Sequence, residues 1–72
     1  MAVNEIFAKR LRQLRERKHM KRCVLAERCG MNKSMISRYE CGEMEPKATA
    51  LAVLADFFGV TTDYLLGRDD DT

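Results

Sequence analysis

The apolar positions of this chain fall at helical spacing, and no stretch alternates as a strand would. Phe7, Leu11 and Leu14 stand at i, i+4 and i+7 and make one stripe. They predict a helix from about Glu5 to Lys18, with Asn4 as its cap. Leu25 and Ala26 share one face of a second helix, about Arg22 to Cys29. Gly30 then breaks the run, because a glycine can take the positive φ of a sharp helix exit. Asn32 is a good N-cap for a third helix, about Lys33 to Glu40, whose inner face carries Ile36 and Tyr39. Cys41-Gly42 ends it, and residues 43–47 form a loop with Pro46 near the start of the next helix. Leu51, Leu54, Ala55 and Phe58 mark a fourth helix, about Thr49 to Phe58, stopped by Gly59. Thr61 caps a short fifth helix, Thr62 to Leu66, which returns Tyr64 and Leu65 to the core. The pattern therefore predicts an all-α fold of five helices, with one domain over residues 1–67 and an acidic, flexible tail at 68–72.

Composition bounds the function. Seventy-two residues are expected to make one small domain with no separate catalytic or ligand-binding unit. Its core is expected to be marginal, about 3–5 kcal/mol, so a partner subunit would add useful burial. No apolar run reaches membrane-spanning length and no signal-peptide core is present, so a cytoplasmic protein is expected. The net charge of +2 conceals a division. Residues 1–38 hold eleven Lys or Arg against three Glu, whereas residues 39–72 hold two basic and eight acidic residues. A half this basic suits a polyanion; a helix surface laced with i,i+4 ion pairs would read the same way.

Three cysteines, Cys23, Cys29 and Cys41, match no zinc spacing. His19 lies four residues before Cys23, but a turn expected at Met20 to Arg22 separates them. Free thiols are expected, with Cys29 in the core and Cys23 and Cys41 partly exposed. There is one histidine, no nucleophile–base set and no phosphate-cradling glycine loop. Neither an enzyme nor a cofactor is expected.

The segment RCVLAERCGMNKSMISRYEC, residues 22–41, has the form of two short helices about a tight glycine turn. Its anchors are Leu25, Ala26, Gly30, Met31, Ile36 and Tyr39. LRQLRERK precedes it, SRYECGEMEP crosses its end and LAVLADFFGVTTDYLLG follows. With these in order over about residues 5–67, the chain resembles the phage-repressor class of helix-turn-helix domains, the Cro/repressor or Xre-type regulators.

The resemblance implies a compact lambda-repressor-like domain whose third helix enters the major groove of double-stranded DNA. It implies base-reading roles for Lys33, Ser34 and Arg38, and phosphate contacts from Arg22 and Asn32. It also implies an ion pair of Arg15 with Glu40, tying the first helix to the end of the third; Arg15 could otherwise be one more exposed charge. The family commonly opens its second helix with Ser or Thr and then Gln. This chain has Lys21 and Arg22, which lose a cap worth about 1 kcal/mol and are read here as a direct phosphate grip. Val24, where a charged residue is common, is another departure.

The expected function is a sequence-specific transcriptional regulator, a repressor acting as a homodimer through Val53, Phe57 and Leu66. Phe57 could equally pack inside. The alternative is an antitoxin or adaptor that binds another protein through the acidic half. Control by an antagonist protein is expected before control by a small molecule.

Overall fold

Every helix in this protein is stopped by the same device. The computed structural model describes residues 3–68, and of the tail expected at 68–72 only Arg68 lies among them. Five helices follow in order: α1 (Val3–Arg17), α2 (Arg22–Arg28), α3 (Lys33–Cys41), α4 (Ala48–Phe58) and α5 (Thr62–Leu66). No described residue lies in a strand. Each helix ends at a residue of positive φ: His19 (55°), Gly30 (71°), Gly42 (75°), Gly59 (69°) and Gly67 (75°). The next N–H then reaches back five residues. Met20 N donates to Arg15 O at 3.2 Å, Met31 N to Ala26 O at 2.8 Å, Glu43 N to Arg38 O at 3.0 Å, Val60 N to Ala55 O at 3.0 Å and Arg68 N to Asp63 O at 2.8 Å. These bonds satisfy carbonyls that a helix end would leave unpaired. Four of the five positions are glycine, which takes this backbone freely; His19 holds it against the strain of its Cβ.

The helix starts divide into two kinds. Asn32 Oδ1 accepts from Met35 N at 2.8 Å and Thr61 Oγ1 from Tyr64 N at 3.0 Å, which caps α3 and α5. At α2 and α4 the N-cap residues are Lys21 and Lys47, and neither makes a side-chain cap bond. Asn4 lies inside α1, not before it, because the helix already starts at Val3.

Phe7, Leu11 and Leu14 of α1 meet Leu25 and Ala26, Ile36 and Tyr39, Ala50, Leu51, Leu54 and Ala55, and Leu65 in one core. Tyr39 meets Phe7 edge to face, with centroids 5.5 Å apart and rings at 79°. Cys29 is half-buried and packs against this core from outside. It follows the last α2 residue, where the chain is already turning out toward Gly30. Phe58 and Tyr64 are half-buried as well.

α1 packs on α3 and α5, α2 on α3, and α4 on α5. At the α1–α5 seam Arg10 Nη1 donates to the Tyr64 carbonyl, and its guanidinium stacks 4.3 Å from the Tyr64 ring centroid. Gly67 sits so close to Ile6 that a Cβ there would come within 2.6 Å of Ile6 Cγ2. The Cα radius of gyration is 11.1 Å, matching the ~11 Å of a close-packed chain this long.

Candidate nucleic-acid interface

Helix α3 presents one face to solvent because its other face is packed into the core. Ile36 and Tyr39 are 0% exposed, and Glu40 is buried beside them. Ser34 and Arg38, one turn apart, lie on the opposite side and are exposed. They share a shallow groove with Asn32, Met35, Met44 and Lys47. The groove offers a hydroxyl, an amide and two cations. Those are donors for phosphate oxygens and for guanine O6 and N7. Lys33 is exposed in the first turn of α3 and does not line the groove. The structure therefore groups Asn32, Ser34 and Arg38 and sets Lys33 on the flank.

Lys47 and Met44 were not singled out by sequence reasoning. A sign was present, since Lys47 is one of two cations in the acidic half and directly follows Pro46 at a helix start.

A second cluster lies under the start of α2. Arg15 Nε donates to Glu40 Oε2 at 2.6 Å, and Arg15 Nη2 to Glu40 Oε1 at 3.0 Å. Arg15 Nη1 donates to the Met20 carbonyl at 2.8 Å, so the same side chain also fixes the turn after α1. Its hydrogen bond to Glu40 raises the Arg15 guanidinium further above its already high range, against the opposing effect of burial. Arg22 Nε also donates to Glu40 Oε1, at 3.1 Å. This third member was not expected. Lys21, which precedes it, is exposed.

The cysteines are free thiols, Cys23 and Cys41 exposed and Cys29 half-buried. Burial pushes the Cys29 thiol above its ordinary 9.0. Among the described residues no His, Cys, Asp or Glu cluster could hold a metal, and no helix is long and apolar enough to cross a membrane. Val53 is exposed at 40%, while Phe57, edge-on to Phe58 at 5.0 Å, and Leu66 are half-buried against the core. Val24 is half-buried.

The sequence profile of a family described as "Helix-turn-helix domain" matches residues 6–66. The chain is 38% identical over 66 residues to the HTH-type transcriptional regulator YobD of Bacillus subtilis, covering 92% of this chain and 59% of YobD. It is 43% identical over 60 residues to the HTH-type transcriptional regulator AnsR of the same organism, covering 83% and 52%. It is 34% identical over 64 residues to the HTH-type transcriptional activator BcrR of Enterococcus faecalis, covering 89% and 31%. The chain thus spans about half the length of the first two relatives and a third of BcrR. No solved structure matches the chain significantly.

Proposed function

The chain belongs to the helix-turn-helix domain family, and from that premise we propose that it is a sequence-specific DNA-binding transcriptional regulator. The observation that carries the reading is the exposed side of α3. Ser34 and Arg38 stand on a capped helix whose inner side is locked into the core by Ile36 and Tyr39. In the proposed complex α3 lies in the major groove. Ser34, Arg38 and the flanking Lys33 face base edges, and Lys21, Arg22 and Asn32 hold phosphates. Arg15 and Glu40 keep α1 and α3 in register beneath them.

The protein acts as a cytoplasmic homodimer on a two-fold operator, its half-sites about 34 Å apart. The exposed Val53 and the half-buried Phe57 and Leu66 supply the pairing face. Operator occupancy by such a dimer represses. A relative is named as an activator, so a promoter–reporter fusion checks the sign: expression should rise when Arg38 is replaced by Ala. The release signal is an antagonist protein, not a metabolite. A metabolite that raises the melting temperature would refute that.

The deciding experiment is fluorescence anisotropy with the DNA upstream of the protein's own gene, against scrambled DNA, across a salt series. A preference of about a thousandfold at physiological salt is expected. Equal binding to both, falling steeply with salt, would refute operator reading and leave only backbone attraction. An adaptor or antitoxin role, with a basic partner on the acidic half, would then take its place.

A further inference from the structure

We propose that Glu40 is a positioning residue for DNA contact: its carboxylate holds Arg22 by Nε so that the Nη1–Nη2 edge meets a phosphate at the start of α2. The inference rests on the DNA-binding reading above and adds to it the group that aims the contact.

The argument begins with an apparent fault. The start of α2 has no side-chain cap, and its first turn carries no acidic residue. Two cations, Lys21 and Arg22, occupy the positive end of the helix instead. Glu40, from the far end of α3, brings the missing negative charge to that place. Its side chain is 1% exposed, Arg15 is 10% exposed and Arg22 is 44% exposed. One carboxylate thus serves two guanidinium groups, and the cluster carries a surplus positive charge. That surplus sits on its exposed member. Arg15 is too buried to meet an outside anion, and each of its three nitrogens is already engaged, Nε and Nη2 by Glu40 and Nη1 by the Met20 carbonyl. Arg22 spends only Nε on Glu40.

Guanidinium geometry completes the case. The group is planar, so a bond at Nε fixes the direction of the opposite edge. That edge is the fork that takes a phosphate through two charge-assisted bonds. A lysine has one nitrogen and cannot hold the carboxylate and a phosphate with fixed orientation.

The test compares Arg22 with Arg22→Lys, in the natural protein and in the Glu40→Gln protein, by affinity for one fixed duplex over a salt series. Arg22→Lys keeps the charge, yet should bind about tenfold more weakly, the worth of one charge-assisted hydrogen bond. In the Glu40→Gln background the same exchange should cost about twofold or less, because the fork is no longer aimed. A lysine variant that binds as tightly as the natural protein overturns the proposal. So does an undiminished arginine–lysine gap in the Glu40→Gln protein.

Should Glu40→Gln fail to fold, nitrogen-detected NMR of the natural protein decides alone. The Arg22 Nε–H should be protected from solvent exchange both free and bound, and the Nη signals should sharpen when duplex is added. Loss of Nε–H protection on binding would mean that Arg22 leaves Glu40 to reach the DNA, which also overturns the proposal. Failure of the natural protein to bind any duplex would sink the DNA-binding reading and this proposal with it; the other adverse results sink only the proposal.

Discussion

With two arginines on its buried carboxylate, Glu40 is a side chain whose loss strands charge. Glu40→Ala would leave Arg15 buried and uncompensated, and should cost about 3–5 kcal/mol. Glu43, three residues on and exposed, should change stability by no more than about 0.5 kcal/mol when replaced by Ala. Thermal melts of the two variants check this; equal melting temperatures would refute it. Resemblance pointed to Arg15 and Glu40, but nothing in the sequence pointed from Glu40 to Arg22. That contact depends on how the start of α2 sits over the end of α3, which no local pattern encodes. Cys29 gives a pH signature at the same scale. Its folded thiol is raised above 9.0, so its contribution is intact below pH 9.0 and is lost as pH rises through the folded value. Natural protein should lose more melting temperature above pH 9.0 than Cys29→Ala does. Parallel curves for the two would assign the alkaline loss elsewhere.

Among the elements, helix starts and helix ends were both legible to within two residues. Gly30, Gly42, Gly59 and Gly67 each mark a true stop. The end of α1 carries no glycine, so the turn was placed at Met20 to Arg22, whereas the chain reverses at His19. Asn4 failed as a cap signal because an asparagine in a first turn costs little, and α1 could start before it. The groove beside α3 was half legible. Asn32, Ser34 and Arg38 lie in one segment, while Lys47 joins them only when the loop folds back. Two of the glycines allow a test of stop against packing. Both Gly30 and Gly67 have positive φ, but a Cβ at Gly30 meets nothing within 4 Å and one at Gly67 meets Ile6 at 2.6 Å. Gly30→Ala should therefore cost about 1 kcal/mol of backbone strain. Gly67→Ala should cost that and a further ~1–3 kcal/mol of overpacking. Equal denaturant midpoints would show that α5 shifts freely away from α1.

For the whole molecule, the uneven charge becomes a surface property. The basic half supplies α1, α2 and all but the end of α3, and the acidic half supplies α4 and α5. Lys47 is the cation that the acidic half contributes to the groove beside α3. Binding of any duplex should therefore weaken steeply with salt, by a slope of about 0.9 per phosphate contact. Replacing Lys47 by Ala should lower that slope by about one contact, and an unchanged slope would place Lys47 off the DNA. The clasp between α1 and α5 has a different consequence, one of time. Arg10 reaches across 54 residues of sequence to the Tyr64 carbonyl, whereas α2 and α3 are sequence neighbours. Closing the longer loop costs more entropy, and nothing in the α2–α3 pair must wait for it. The last helix should therefore dock late in folding and detach early in unfolding. In native-state hydrogen exchange, the amides of α5 should open at lower free energy than those of α3. The molecule would then come apart from its end, with the α2–α3 pair still assembled.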